Sequence, residues 1–303
     1  MNVTEEDPAW LKAKGDDFFR VGDYLSAMNA YSAALDADDS LIPCYSNRSA
    51  CYLKLSSPAD CKSDCSQAIA LLEEVRKDSG KNDEISPTRI LVKMLMRRGV
   101  ASCQLGLYKD AISDYQECLR VFQGNPSVNY GISVSGLESD ISKLVKLDKA
   151  DSLKKNADSE FSQSKIAEAL ELYSNALLLA PLHVGCLSNR AACKIASQDF
   201  YGCIDDCSLA LDVFDSDEAM SRKKPITSGS SENLSMLTAI LPARGSDKRK
   251  SWYLKTLVRR GAAYFQAGSL TEAVADYSKA CAIDPTNNSL KTDLNNLRNS
   301  RSA

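Results

Sequence analysis

Histidine is almost missing from this sequence: the 303 residues contain one, His183. Triads built on histidine and multi-histidine metal sites are therefore poor readings of the chain. An excess of charge of either sign is missing too. Lys+Arg is 37 and Asp+Glu is 40, a formal net charge of −3, which excludes affinity of the whole chain for nucleic acid and leaves any charge-driven recognition to local patches. No apolar run approaches the ~18 residues of a membrane span; the longest, 176–182, is interrupted by Pro181. The start, Met1 to Asp7, is acidic and lacks the apolar stretch of a secretory signal. Gly-rich phosphate loops and Gly-x-Ser-x-Gly elbows are absent as well. What is present is 44% hydrophobic residues, enough for a core, and eleven cysteines, read as reduced thiols of a cytosolic protein.

The sequence repeats itself. Leu11-Lys-Ala-Lys-Gly15 through Tyr31-Ser-Ala-Ala-Leu35 returns, 142 residues on, as Leu153-Lys-Lys-Asn-Ala157 through Tyr173-Ser-Asn-Ala-Leu177. At the same shift Ser46-Asn-Arg-Ser-Ala-Cys51 meets Ser188-Asn-Arg-Ala-Ala-Cys193, and Cys61-Lys-Ser-Asp-Cys65 meets Cys203-Ile-Asp-Asp-Cys207. Lys93-Met-Leu-Met-Arg97-Arg-Gly99 matches Lys255-Thr-Leu-Val-Arg259-Arg-Gly261 at a shift of 162, so the second copy carries a longer insertion. The chain is an internal duplication.

A finer period runs inside each half. Small residues stand at Gly15, Ser49, Gly99, Ala157, Ala191 and Gly261. From each, a second small residue or cysteine follows twelve positions on, a tyrosine or cysteine sixteen on, and Ala or Cys nineteen on. Spacings of four and three describe one helical face, on which small residues admit a close neighbour and the larger one fills the hollow between helices. Pro181 and Pro285 fall where the second helix of a pair must stop. This is the pattern of the tetratricopeptide repeat (TPR), a 34-residue helix–turn–helix. It predicts an all-α, superhelical TPR solenoid of six repeats in two three-repeat modules, closed by a capping helix.

Helix pairs are expected at roughly 8–20 with 24–37, 43–55 with 58–75 and 88–105 with 108–122, then 149–163 with 166–179, 183–197 with 200–214 and 251–267 with 270–283. The cap is expected at 286–299, with Leu290, Leu294 and Leu297 on one face. Module 1 spans 1–136 and module 2 spans 149–303. Neither Gly nor Pro occurs from Leu137 to Ala180, so one helix over 137–163 is expected to be shared between them. The insertion at about 215–250 is serine-rich and reads as mobile, with its basic clusters Arg222-Lys-Lys224 and Lys248-Arg-Lys250 solvated.

Polar residues on the first helix of each pair need a reason. Lys12 and Asp16, then Asn47, then Lys93 and Arg97 recur as Lys154 and Asp158, Asn189, Lys255 and Arg259. The i, i+4 spacings put each charged pair on one helix face. Two amines, a guanidinium and an amide converging there form a receptor for a carboxylate, as in capture of a chain terminus.

These residues resemble the dicarboxylate clamp of co-chaperone TPR domains, which hold the Glu-Glu-Val-Asp tails of Hsp70 and Hsp90. That clamp has Lys and Asn on the first helix, Asn on the third, Lys and Arg on the fifth. Lys12, Asn47, Lys93 and Arg97 match, as do Lys154, Asn189, Lys255 and Arg259. Asp16 and Asp158 depart, each standing where the clamp has Asn. A carboxylate there repels a ligand carboxylate by about 1 kcal/mol at 4 Å in a hydrated groove. Three further stretches, Asp7-Pro-Ala-Trp-Leu-Lys-Ala-Lys-Gly15, Tyr45-Ser-Asn-Arg-Ser-Ala-Cys-Tyr-Leu-Lys-Leu55 and Met96-Arg-Arg-Gly-Val-Ala-Ser-Cys-Gln-Leu-Gly-Leu-Tyr108, resemble the TPR module of the dynein axonemal assembly factor family. The resemblance covers about 7–148; that family's CS domain has no counterpart in these 303 residues, and a second module follows. It implies a cytoplasmic, cilium-associated, non-enzymatic adaptor. Its partners would be Hsp90- and Hsp70-type chaperone tails and dynein arm subunits or other assembly factors, with no cofactor, metal, nucleic acid or membrane.

Other readings stay open. The clamp could be vestigial on a general TPR scaffold that binds internal peptides or helices. Asn47 and Asn189 could bond local backbone, and Arg48 and Arg190 could be structural. Cys61/Cys65 and Cys203/Cys207 read as packing residues rather than zinc ligands. His183, following Pro181, is expected at the surface.

Overall fold

In a computed structural model the described residues are 7–78, 85–124, 131–223, 241, 242 and 244–300. All secondary structure among them is α-helical. The helices are α1 Pro8–Val21, α2 Tyr24–Ala37, α3 Ile42–Lys54, α4 Pro58–Asp78, α5 Ile85–Leu105, α6 Tyr108–Gly124, α7 Val134–Ser162, α8 Ile166–Leu179, α9 Val184–Ala196, α10 Phe200–Lys223, α11 Asp247–Gln266, α12 Leu270–Ile283 and α13 Asn288–Ser300. They fall into two compact units, one running through Val145 and the other beginning at Lys146, both boundary residues lying in α7. The fold is the all-α TPR fold that the periodicity predicts.

Each helix pair turns in the same way. Gly22, Ser56, Gly106, Ser164, Gln198 and Gly268 sit between the two helices with φ of 86, 60, 75, 62, 62 and 82°. The following N–H reaches back five residues in every case: Asp23 to Phe18 O, Ser57 to Tyr52 O, Leu107 to Ser102 O, Lys165 to Glu160 O, Asp199 to Lys194 O and Ser269 to Tyr264 O. That bond, with the shorter one from the left-handed residue itself, satisfies carbonyls that the ending helix leaves open, which makes all six turns Schellman motifs. Three of them use a residue other than glycine. At the opposite end of α1, Asp7 Oδ1 accepts from Ala9 N at 2.8 Å and Pro8 occupies the first turn, where its missing N–H costs nothing.

The repeat positions form the core. Ala27, Cys61, Ala111, Ala169, Cys203 and Ala273 are fully buried, as are Ala34, Ala68, Cys118, Ala176, Ala210 and Ala280. Tyr31, Tyr115 and Tyr173 lie between helices almost without exposure. A Cβ at Gly15 would stand 2.6 Å from Tyr31 Cε1, and one at Gly99 would also collide with the Tyr115 ring, so glycine at these positions sets how closely the ring can approach. The four cysteines Cys61, Cys65, Cys203 and Cys207 are packed here as free thiols.

A second periodic device includes Arg48 and Arg190, for which a structural role was open, and extends to Arg98 and Arg260. Arg48 pairs with Asp64, Arg98 with Asp114, Arg190 with Asp206 and Arg260 with Asp276, each carboxylate sixteen residues after its arginine. Arg48, for example, donates from Nε at 2.9 Å and from Nη2 at 2.7 Å to the two oxygens of Asp64. Its remaining terminal nitrogen donates to Ser32 Oγ on α2. Ser66, Ser174 and Ser208 serve Arg98, Arg190 and Arg260 in the same way. Each arginine thus ties its own helix pair to the preceding pair, and the bidentate geometry compensates for burying the charges.

Two expectations change. His183 is buried, not at the surface: it caps α9, its Nδ1 accepting from Cys186 N at 3.2 Å. The insertion at 215–250 lies partly outside the described residues, and the side chains of Arg222-Lys-Lys224 lie outside them entirely. Within the described part, α10 continues to Lys223 and α11 begins at Asp247. Arg249 is not a solvated basic residue. It is buried against Asp217 at 2.6 Å, a carboxylate that Arg244 also holds in bidentate fashion. Asp217 is one residue with two guanidinium partners, which explains why it tolerates burial.

Candidate functional site

Three helices bring the first set of residues together. Asp16 on α1 is the hub: Lys12 Nζ donates to its Oδ2 at 2.7 Å, while Tyr31 Oη and Asn47 Nδ2 donate to its Oδ1 at 2.7 and 2.9 Å. Lys12 reaches it because an i, i+4 pair shares a helix face. Asn47 reaches it because α3 packs beside α1, so this asparagine does not bond local backbone. Burial pushes the Asp16 carboxyl up, but the hydrogen bonds from Lys12 and Tyr31, the Lys12 charge and the Asn47 bond outweigh it and leave it below its ordinary value.

The second copy repeats this arrangement. Lys154 donates to Asp158 Oδ2 at 2.6 Å, and Tyr173 and Asn189 donate to its Oδ1 at 2.5 and 2.9 Å. The Asp158 carboxyl is likewise held below its ordinary value, with burial opposing and the bonds from Lys154 and Tyr173 prevailing. The two tyrosines are hydrogen-bond donors that the sequence argument used only as packing. Their position, fifteen residues after the aspartate in both copies, was the available signal.

The arginines behave differently. Arg97 on α5 donates from Nη1 to Ser46 O on α3 and, at 3.3 Å, to Ser46 Oγ. Arg259 on α11 donates to Ser188 O and Ser188 Oγ at 2.7 Å each, and to Asn189 Oδ1 at 3.4 Å. Among the described residues neither guanidinium has a carboxylate partner, and burial pulls both below their ordinary pKa. One turn earlier, Lys93 and Lys255 are exposed and make no ion pair with the described residues. In the first copy an internally neutralised Lys–Asp pair on α1 and a Lys–Arg pair on α5, without an anion among the described residues, both adjoin α3; the second copy repeats this with α7, α11 and α9. No group of three or more His, Cys, Asp or Glu among the described residues is placed to hold a metal. No helix among them is long and apolar enough to cross a membrane.

Comparison with known proteins matches residues 261–290 to the TPR repeat family. Dynein axonemal assembly factor 4 of Pongo pygmaeus is 36% identical over 128 residues, 42% of this chain and 29% of that protein. The Hsp70-Hsp90 organizing protein of Triticum aestivum is 27% identical over 188 residues, 60% of this chain and 31% of that protein. The chain thus spans less than a third of the length of these relatives. Among solved structures, the first TPR of Spaghetti (RPAP3) bound to the HSP90 peptide SRMEEVD aligns with 52% of this chain and 96% of its own, at 24% identity and a TM-score of 0.38. The chain has an all-α TPR fold, matches the TPR repeat family over 261–290, and is similar over part of its length to dynein axonemal assembly factor 4.

Proposed function

We propose that this chain is a non-enzymatic adaptor whose two grooves bind the acidic C-terminal tails of Hsp70/Hsp90-type chaperones during cytoplasmic preassembly of axonemal dynein, with dynein arm subunits or other assembly factors as clients. The observation that carries this reading is the pair of arginines without a carboxylate. A half-buried guanidinium without a counterion is costly, and a carboxylate arriving from outside relieves that cost with charge-assisted hydrogen bonds. Lys93 and Lys255, exposed four residues before, add a second cation on the same helix face. The dynein setting is supported by the similarity to dynein axonemal assembly factor 4, and the chaperone setting by the similarity to an Hsp70-Hsp90 organizing protein.

Calorimetry of the full chain with a peptide ending in Glu-Glu-Val-Asp, as the free acid and as the C-terminal amide, tests the reading. The free acid is expected to bind at least about tenfold more tightly. Equal binding of the two rejects capture of a chain terminus.

One observation favours a second reading, a TPR scaffold for internal peptides with a vestigial clamp. Lys12 and Asn47, and likewise Lys154 and Asn189, already spend hydrogen bonds on Asp16 and Asp158. Binding of both peptide forms together with binding of an internal segment would favour it.

A further inference from the structure

The two copies differ one helical turn before the exposed lysine. In the first copy that position is Arg89, so Arg89, Lys93 and Arg97 stand at i, i+4 and i+8 on α5; in the second copy it is Ser251 on α11. We infer that the first groove recognises a ligand with three carboxylates at alternate positions of an extended segment, the third of them facing Arg89, and that the second groove leaves that third carboxylate unread. The inference rests on the proposed binding of acidic tails and narrows the ligand class of the first groove.

Spacing and charge carry the argument. Helix α5 packs on α4 and α6 and adjoins α3, which leaves Arg89 and Lys93 exposed and Arg97 half-buried on its remaining face. Four residues of α-helix advance about 6 Å, so the three cations follow one another at about that interval and spread over about 80° of the helix. An extended segment turns alternate side chains to one side, about 6.4–6.8 Å apart. One carboxylate at every second residue therefore keeps step with one cation at every turn. Among the described residues Arg89 makes no ion pair, and neither does Lys93, so both charges are open to a ligand. A guanidinium at the end of the row offers a carboxylate two parallel donors.

The second copy supplies the contrast. Ser251 interrupts the row on α11, and the next cation on that face, Lys248, lies seven residues before Lys255, about 10.5 Å along the axis. Its Nζ stands over the Trp252 ring, 5.4 Å from the centroid. Trp252 takes the place of Ile90, and a Cβ on Gly185 of α9 would stand 3.1 Å from the ring, so the tryptophan packs against α9. A third carboxylate in step with Lys255 and Arg259 meets a hydroxyl where the first copy has a guanidinium.

Three peptides of equal length, all ending in Glu-Glu-Val-Asp as the free acid, test this by calorimetry at low salt, where exposed charges are least screened. The residue just before that ending is Glu in the first peptide and Gln in the second. In the third it is Gln and the Glu stands one residue farther upstream, which keeps the net charge and turns the carboxylate to the other side of an extended segment. The full chain carries Lys255→Ala/Arg259→Ala to silence the second groove. The first peptide is expected to bind about three- to fivefold more tightly than the other two, the size of an exposed ion pair, and Arg89→Ser is expected to bring all three within twofold. A preference below twofold with Arg89 present, or one that persists in Arg89→Ser, overturns the inference and leaves tail binding standing. Equal binding of the first and third peptides means that net charge is read rather than spacing, and overturns it too. No binding of any of the three overturns the tail-binding reading and the inference with it. In the converse chain, Lys93→Ala/Arg97→Ala, no preference is expected until Ser251→Arg is added; absence of a gain in that variant, folded by circular dichroism, overturns the assignment to this position. If the silenced chains do not fold, the wild type against Arg89→Ser decides, since Arg89 is exposed.

Discussion

Arg97 and Arg98 are neighbours in α5, yet only Arg98 meets a carboxylate: it forks onto Asp114 at 2.6 and 3.1 Å, while Arg97 rests on the carbonyl of Ser46. Arg259 and Arg260 repeat the contrast, with Asp276 serving Arg260. Adjacent residues on a helix point about 100° apart, so one faces the partner helix of its own pair and the other faces the row of first helices. The two positions should therefore fail in different ways. Arg98→Ala strands the buried Asp114 and is expected to cost about 3 kcal/mol in urea denaturation. Arg97→Ala/Arg259→Ala removes charges without counterions and is expected to cost less stability than that. It should weaken a free-acid tail peptide about tenfold or more, since a charge-assisted hydrogen bond contributes roughly 1.5–3 kcal/mol. Unchanged peptide affinity in the double variant would remove these arginines from the site.

The duplication, the helix pairs and the core were legible because each rests on period alone: Gly15, Ala27, Tyr31 and Ala34 carry their meaning in their spacing. The Arg–Asp ladder is equally periodic, four arginines each followed sixteen residues later by aspartate; the sequence leaves a structural role open for Arg48 and Arg190, but nothing in it singles out the aspartate partners or adds Arg98 and Arg260 to the set. The hub role of Asp16 was not legible at all. As a clamp member it reads as an anion set against a ligand, and only coordinates reveal Tyr31 and Asn47 arriving from two other helices to satisfy it. Arg249 was missed for a third reason. Its partner Asp217 lies 32 residues away across an insertion without periodicity, so nothing in the spacing joins them.

The six Schellman turns allow a test of local strain. Ser56, Ser164 and Gln198 are exposed and hold φ near 60°, a region that costs a residue with a Cβ roughly 1–2 kcal/mol. Glycine avoids that penalty but loses more freedom on folding, by roughly 0.5–1 kcal/mol. Gln198→Gly is therefore expected to stabilise the protein modestly, by about 0.5–1 kcal/mol, as measured by the urea midpoint at constant m-value. A destabilised variant would mean that the Gln198 side chain contributes contacts beyond the turn.

Packing at the small positions makes an asymmetric prediction between the copies. The first copy has Gly15 against Tyr31, and the second has buried Ala157 and Tyr173 at the corresponding positions. Gly15→Ala places a methyl 2.6 Å from the Tyr31 ring, so the ring must move and its bond to Asp16 must lengthen. Overpacking of this kind costs about 1–3 kcal/mol, more than the helix propensity of alanine returns. Ala157→Gly lacks the clash and is expected to cost about 1 kcal/mol through propensity and the lost methyl. Equal effects of the two substitutions in thermal denaturation would contradict this account.

His183 gives the chain a pH dependence that can be assigned to one residue, because there is no other histidine. Burial pulls its pKa below the ordinary 6.5, with the Lys154 charge pulling in the same direction and Asp151 opposing. Its Nδ1 accepts the Cys186 N–H that starts α9, so protonating that nitrogen also removes the cap. A depressed pKa means that the unfolded chain binds the proton more readily than the folded one. The stabilisation is therefore complete above 6.5 and is lost as pH falls from there through the folded-state value. The slope for one proton cannot exceed roughly 1.4 kcal/mol per pH unit. His183→Leu, which installs the residue found at the corresponding Leu41, deletes this proton from the linkage. Urea denaturation between about pH 5 and 7 should then show the stability difference between wild type and His183→Leu growing in favour of wild type as pH rises. Parallel profiles for the two proteins would show that His183 titrates alike in the folded and unfolded chains, contrary to its burial under the start of α9.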